Sequence, residues 1–282
     1  MKKMALLFLM LVPVLFVSAQ KSRPPDKLGV VSYTFRNSFG LNLEATLDTV
    51  QLLGFNNVEF SNLFGRSPES LRASLDRRGM HCTSYGVSYD DAINKTHDVA
   101  RAATILGAEF VRVAWIPFTG SFDLAMAEKT VKNLNMIGKI LKTGYDLTFC
   151  YHNHGYEFGI WQNNETFYDY IVQKTDPAFV SLELDILWAH IANVNPADIL
   201  NRYGDRVRLM HVKDLKKGTE HGLSGKTDVA NDVILGTGEL NLPEIFKAAK
   251  KTAIKYYYIE DESPSSTQQV PESIKYLKGF KF

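Results

Sequence analysis

Four short segments in the second half of the chain end in side chains that bind metal ions or move protons. Thr148, Cys150, His152 and His154 alternate with Leu147, Phe149 and Tyr151, and Glu183 and Asp185 alternate with Leu182 and Leu184. Further on, Val207, Leu209, His211 and Lys213 share one parity, as do Tyr256, Tyr258 and Glu260. Side chains two apart on a strand point to the same face, so each segment carries its polar tip on one face. Carboxylates on a buried face are costly unless paired or bound to a cation. His152, Asp185, His211 and Glu260 together offer imidazole nitrogens and carboxylate oxygens. That is a donor set for a divalent ion such as Mn²⁺, Co²⁺, Zn²⁺, Fe²⁺ or Mg²⁺, with positions left over for a substrate. Parity does not separate His152 from His154 as the ligand. A single histidine is more often a core or surface residue, and a single strand-end acid more often a cap or ion-pair partner. Four such residues ending four successive segments point to a metal.

A divalent ion chelated by a carbonyl and a neighbouring hydroxyl polarises the C=O bond and stabilises the enediolate formed when the adjacent carbon loses a proton. That chemistry needs a base. Glu260, Glu183 and Lys213 are the candidates: a carboxylate at the metal edge, a carboxylate behind it, and an amine whose pKa a nearby cation would lower. Lys213 is equally suited to holding a substrate oxygen by its charge. Glu157, three residues past His154, would act from the following loop or orient a histidine. Glu59 and Arg112 face inward at lower positions and suit a structural ion pair.

The elements that must position these residues follow a regular alternation. Short β-branched or aromatic runs are each followed by a longer segment with helical spacing of apolar residues, the pattern of βα units and a parallel sheet. The spacing predicts strands over Leu28–Tyr33, Asn57–Phe60, His81–Val87, Phe110–Trp115, Leu147–His152, Val180–Leu184, Val207–Val212 and Tyr256–Glu260. Helices are expected to start near Asn42, Pro68, Asp90, Phe122, Asn163, Pro196, Leu242 and Thr267, with Gly54, Gly79, Gly107, Gly144 and Gly204 closing them. Eight such units with no break in composition predict one (β/α)₈ TIM barrel as a single domain over 28–282. A doubly wound sheet would want a glycine-rich phosphate turn after its first strand, and Thr34-Phe35-Arg36-Asn37 has none. The loop from Lys213 to Asn241, which holds Gly236-Thr237-Gly238, is much longer than the other connections. After a seventh barrel strand it would overhang the catalytic mouth.

The chain has 282 residues, 32 basic against 31 acidic side chains, 45% apolar residues and two cysteines. That balance excludes a disordered tail, a disulfide scaffold and a basic nucleic-acid binder. Met1-Lys2-Lys3, the apolar run Met4–Val17 and Ser18-Ala19 have the parts of a secretory signal. Residues 1–19 are therefore expected to be removed and 20–27 to form a linker, so that an exported, periplasmic or secreted chain remains without a membrane anchor. Pro13 and the shortness of the run argue against a spanning helix. Cys82 and Cys150 lie in apolar strand segments, where they would pack as small hydrophobes or bridge in an oxidising compartment.

Gly29-Val30-Val31-Ser32-Tyr33-Thr34, Asn57-Val58-Glu59-Phe60, Val111-Arg112-Val113-Ala114-Trp115, Tyr151-His152-Asn153-His154 with Glu157-Phe158, Leu182-Glu183-Leu184-Asp185, His211-Val212-Lys213-Asp214 and Ile259-Glu260 fall in order at successive strands. As an ordered set they resemble the sugar phosphate isomerase/epimerase family of xylose-isomerase-like barrels. The resemblance implies a metal held by one residue from each of the fifth to eighth strands, here His152, Asp185, His211 and Glu260, and a small carbohydrate as substrate. It departs at one point: many isomerases and epimerases of that superfamily carry a glutamate where His152 stands, which puts a two-carboxylate mechanism in question. Trp115 and Trp188, with His154 and Glu157, are the candidate substrate contacts, since aromatic faces at strand ends can stack on a sugar ring.

The first expectation is thus a metal-dependent isomerase or epimerase acting through an enediolate next to the carbonyl of a keto sugar. The alternative, which export and His152 favour, is a lyase or hydratase that lets the same intermediate expel a group from the β carbon of a 3-keto-glycoside. A non-catalytic carbohydrate-binding barrel is a third reading. No nucleic-acid partner is expected, and Trp188 stands where the superfamily's abasic-site nuclease would need a histidine.

Overall fold

The computed structural model describes residues 27–280. The signal segment 1–19 and all of the 20–27 linker except Lys27 lie outside the described residues. Eight strands, β1 (Leu28–Val31), β2 (Asn57–Phe60), β3 (His81–Val87), β4 (Phe110–Val113), β5 (Thr148–His152), β6 (Val180–Asp185), β7 (Val207–Val212) and β8 (Tyr256–Ile259), form a closed barrel. Every neighbouring pair is parallel, and β8 closes onto β1 with Tyr258 opposite Gly29. Parallel strands are buried on both faces, and every residue of β1, β2, β4 and β6 is buried.

Helices α1 (Leu43–Leu52), α2 (Pro68–Asp76), α3 (Thr96–Leu106), α4 (Leu124–Tyr145), α5 (Phe167–Lys174), α6 (Pro196–Tyr203), α7 (Leu242–Ala249) and α8 (Ser266–Leu277) follow the strands in turn. The side chains of Asn42, Ser67, Asp123, Thr166, Asn195 and Asn241 accept hydrogen bonds from the first backbone amides of their helices, which fixes where each begins. The expected barrel is what the chain forms.

Local departures have local causes. The helix expected near Asn163 begins only at Phe167, because Asn163 and Asn164 take φ of 48° and 62° and turn a small antiparallel hairpin, Ile160–Gln162 with Glu165–Thr166. Asn is the non-glycine residue that best tolerates this region. Gly144 does not close α4; the helix runs through it to Tyr145 and ends at Asp146 with φ 53°. Cys82 and Cys150 are both free and buried, so they pack and do not bridge.

Two apolar clusters divide the core. A large one fills the space between sheet and helices, while Val31, Phe110, Cys150, Leu209 and Tyr258 plug the barrel's inside. The same side of each strand that supplies this plug carries, one step further along, the polar residues of the mouth.

Candidate active site

The barrel's register brings the polar tips together. His152 pairs with Glu183, Asp185 with His211, and His211 with Tyr258 across adjacent strands. Between Leu182 and Glu183 the β6–β7 pairing slips by one residue, so Arg208 is passed over and Asp185 comes level with His211. Bulges of this kind re-aim side chains at barrel rims.

His152 is buried, and its Nδ1 lies 3.0 Å from Glu183 Oε2. Donation there leaves Nε2 with its lone pair facing Asp185 Oδ2 at 3.8 Å. Burial, and next the positive charge of His211, push the His152 pKa down to about 3, so the ring is neutral. His211 is held the same way from the other side. Its Nε2 lies 2.9 Å from Glu59 Oε1, and its Nδ1 faces Glu260 Oε2 at 3.0 Å and Asp185 Oδ2 at 3.7 Å. A carboxylate on the far nitrogen of each imidazole is the arrangement that orients metal-binding histidines.

Asp185 Oδ1 caps the short helix Ile186–Ile191, accepting from Leu187 N at 2.9 Å and Trp188 N at 3.1 Å. Its other oxygen, Oδ2, is buried and has no hydrogen-bond partner. Burial works against ionisation of Asp185, but Lys213, His211 and His152 outweigh it and keep the carboxyl below its ordinary value. A buried anionic oxygen without a donor, aimed between two imidazole nitrogens, fits a cation better than any hydrogen bond on offer. His152, Asp185 and His211 present ligand atoms within 4.8 Å of one another, and Glu260 Oε2 adjoins them through His211. His154 is not in this group; its Nδ1 donates to the Ala114 carbonyl at 3.0 Å.

Charge supports the same reading. Glu59, Glu183, Asp185 and Glu260 converge here against the fixed cations Arg112 and Lys213, all of them buried. The acids outnumber the fixed cations, an excess of negative charge that a bound cation would offset. His211 responds to the excess: burial disfavours its charged form, yet Glu183, Glu260 and Glu59 raise its pKa well above the usual imidazole value.

The base candidates separate by position. Glu260 lines a cavity of about 440 Å³ at the barrel mouth, with Tyr33, Arg112, His152, His154, Trp115, Trp188 and His211 also in its wall. Burial opposes its ionisation, but Lys213 and His211 hold it well below the carboxylate range. Glu183 is fully buried under His152, 3.2 Å from Arg112 Nε, and does not reach the cavity; it positions a ligand and is not placed to act as a base. Lys213 Nζ lies among Glu262 Oε1 at 2.7 Å, Glu260 Oε2 at 3.1 Å and Asp232 Oδ2 at 3.6 Å. Burial alone would lower its pKa, but Asp232, Glu260 and Glu262 raise it well above the ordinary amine value. The expectation of a lysine base is thereby corrected: Lys213 is an ammonium behind Glu260.

Glu157 is also placed differently from a substrate contact. It is sealed from solvent, accepting from Tyr151 Oη at 2.5 Å and from the His154 amide at 3.0 Å, so it anchors the β5 loop. Arg112 bonds Glu59 Oε1 at 2.7 Å, the ion pair expected beneath the site. Trp115, Trp188 and His154 do form one wall, with His154 stacked on Trp188 at 5.6 Å and edge-on to Trp115 at 5.3 Å.

Sequence reasoning missed several wall residues. Glu262 lines the cavity, and its parity with Tyr258 and Glu260 was the available signal. Tyr33, expected within the first strand, lies in a 3-10 turn, Ser32–Phe35, because β1 stops at Val31, and Ser61 lies past the end of β2, where strand parity gives no direction. The long loop contributes Gly225, Lys226 and Thr227. Its base is organised by Asp214, whose carboxylate accepts from the amides of Leu215, Gly236, Gly238 and Leu240, which accounts for the glycines at 236 and 238.

Comparison with known proteins agrees with this architecture. The family model for the xylose isomerase-like TIM barrel matches residues 47–280. An inosose dehydratase of Geobacillus kaustophilus is 25% identical over 224 residues, covering 70% of this chain and 72% of that protein. A crystal structure of a sugar phosphate isomerase/epimerase from Parabacteroides distasonis superposes with a TM-score of 0.74 at 20% identity, over 95% of this chain and 98% of that one. The crystal structure of an IOLI protein with a bound zinc atom superposes with a TM-score of 0.70 at 16% identity, over 90% and 95%.

Proposed function

The chain belongs to the xylose isomerase-like TIM barrel family, and from that premise we propose that it is a divalent-metal-dependent lyase acting on a keto sugar or keto-glycoside. His152, Asp185, His211 and Glu260 would hold the ion. When bound there, the ion supplies Lewis acidity, drawing electron density from a substrate carbonyl and stabilising the charge that grows on its oxygen.

The observation that carries the reading is that the carboxylates open to the cavity, Glu260 and Glu262, both stand at the end of β8. A keto-sugar epimerase that removes a proton from one face of a carbon and returns it to the other wants a base on each side. Here the position across the cavity is His152, neutral and spent on Glu183. Elimination needs one base. Glu260 takes the proton from the carbon beside the carbonyl, the electron pair forms the C=C bond, and the C–O bond at the β carbon breaks. The proton on Glu260 then passes to the departing oxygen on the same face, giving an enone and an alcohol or water. Lys213 holds Glu260 in place and keeps it anionic until the transfer. His154 offers Nε2 as an acceptor for a substrate hydroxyl, and Trp115 and Trp188 present ring faces to the sugar.

The similarity to inosose dehydratases supports this direction, since a dehydratase expels a hydroxyl group as water. The bound zinc of the structurally similar IOLI protein supports the ion. We infer also that the chain is exported once residues 1–19 are removed, which places free glycosides within its reach; amino-terminal sequencing of the mature protein tests this. Among the described residues no helix is long and apolar enough to cross a membrane.

The test is incubation with Mn²⁺ in D₂O with 3-keto-glucosides and, separately, with free ketoses. Release of the glycone's partner, lost in Glu260→Gln, is expected. Deuterium exchange without release would replace this reading by the isomerase/epimerase one, and sugar binding with neither would leave a binding barrel.

A further inference from the structure

We propose a second transition-metal site, for an ion of the Zn²⁺ class, at His190, His221 and Glu239, which fastens the long loop to the barrel rim. The three side chains come from separate places: His190 from the short helix Ile186–Ile191, His221 from the first half of the loop after β7, and Glu239 from its end. Glu239 Oε1 lies 2.7 Å from His221 Nε2 and 3.2 Å from His190 Nε2, and the two rings meet edge to face at 5.0 Å. Ligand atoms on a tetrahedral ion with bonds of ~2.0–2.1 Å stand roughly 3.3 Å apart, so the trio needs only small adjustments to close around one.

The supporting contacts are those of a metal site. His221 Nδ1 lies 2.9 Å from Asn193 Oδ1, so donation there leaves the Nε2 lone pair pointing at Glu239. Glu239 Oε2 accepts from the Gly218 amide at 3.1 Å, which turns Oε1 toward both rings. With Nδ1 donating to Asn193, His221 Nε2 and Glu239 Oε1 meet as two acceptors at 2.7 Å, a contact that a cation between them completes. Two imidazoles and a carboxylate suit Zn²⁺ or its neighbours better than Mg²⁺ or Ca²⁺. All three residues are about a quarter exposed and border a cavity of about 330 Å³ that also holds Glu244, which leaves room for a water or a further ligand.

The site's position gives it a consequence. The helix that carries His190 is capped by Asp185 and carries Trp188, while the loop that carries His221 supplies Gly225, Lys226 and Thr227 to the substrate cavity. The loop is already tied to this helix by a backbone bond, Gly222 N to Ile191 O at 2.9 Å, besides the contact of Glu239 with His190. An ion on the trio would tie both halves of the loop to that helix and hold the cavity's outer wall.

The experiment uses the full mature chain, stripped of metal, loaded with Zn²⁺, passed through gel filtration and analysed for bound zinc. Wild type is expected to keep two equivalents. His221→Ala and Glu239→Gln should keep one, the Asp185→Ala/His211→Ala double variant should keep the other one, and adding His221→Ala to that pair should leave none. Trypsin cleavage at Lys216, Lys217 and Lys226 should slow at least several-fold with Zn²⁺ in wild type and in the Asp185/His211 variant but not in His221→Ala. If wild type keeps one equivalent and only the His221 and Glu239 variants lose it, the proposal stands while the ion at the barrel mouth fails. Unchanged zinc in both variants relative to wild type overturns the proposal. Loss of zinc with no change in cleavage overturns the fastening.

Discussion

Glu183 receives the Nδ1–H of His152 at 3.0 Å while a buried cation, Arg112, stands 3.2 Å from the same oxygen. The acid therefore aims a ligand and takes no part at the cavity. Glu183→Gln keeps the shape but weakens the acceptor. Loss of such a supporting partner typically costs ~10–100-fold in metal affinity. A competition titration with Zn²⁺ or Co²⁺ should show a drop of that size, with the fold intact by circular dichroism. Unchanged affinity would mean that His152 is not a ligand.

His211→Ala and Asp185→Ala should each abolish binding at the barrel mouth, read with the peripheral site disabled by His221→Ala. The same loss should appear as stability. An ion present at one hundred times its Kd adds about 2.7 kcal/mol to the native state, so a chelator should lower the melting temperature of the parent and leave that of the two variants unmoved.

Much of this was legible in the sequence because barrel strands repeat one rule. Alternation placed Thr148, Cys150 and His152 on one side of β5 and Phe149 and Tyr151 on the other, and the two core clusters divide the strands in that way. Burial of a charge is less legible, since parity says which face a residue takes and not how deep it lies. Glu183 and Glu260 both face inward, yet only Glu260 reaches the cavity. Lys213 has the parity of a catalytic lysine, and only the surrounding Asp232, Glu260 and Glu262, all of them from outside β7 and its motif, show it to be a fixed cation. The wall supplied by Gly225–Thr227 depends on how a long loop folds back, which no period encodes.

Glu157 makes stability depend on pH. Burial raises its carboxyl pKa from 4.5 to about 7, against the bonds from Tyr151 and the His154 amide that lower it. The native state thus binds this proton more tightly than the unfolded chain. Its contribution is greatest below about pH 4.5 and is lost as pH rises toward about 7, by roughly 3 kcal/mol at ~1.4 kcal/mol per pH unit. Urea midpoints of wild type should fall between pH 5 and 7 more steeply than those of Glu157→Gln, in which no proton is exchanged. Asp232, raised to about 7 by burial, adds the same sign to both proteins and cancels in the comparison.

Gly238 sits against the Asp214 carboxylate that organises the loop base, and a Cβ there would collide with Asp214 Oδ1 and the Leu215 carbonyl. Gly238→Ala must displace either the carboxylate or the turn, breaking bonds to the amides of Gly236, Gly238 and Leu240. Because Asp214 follows directly on Lys213, the disturbance lies next to the site. The expected signature is a raised KM with faster proteolysis within 213–241. A variant with wild-type KM and wild-type cleavage would show that the loop does not form the cavity's wall.

Lys213→Met tests whether the buried ammonium positions Glu260. Methionine fills the stem's space but leaves Glu260, Glu262 and Asp232 without the charge they share. Removing one partner of a buried ion pair costs about 3–5 kcal/mol. At roughly 2–4 °C per kcal/mol for a chain of this size, melting should fall by about 10 °C. Part of that loss should return at lower pH, where the stranded carboxyls take up protons. Glu260 would also lose the strongest of the charges that keep it anionic. The acidic limb of the rate profile, set by ionisation of Glu260, should then move to higher pH. Lys213→Arg, which keeps the charge, should move that limb less. An acidic limb that stays put in Lys213→Met would mean that Glu260 owes its charge to His211 alone.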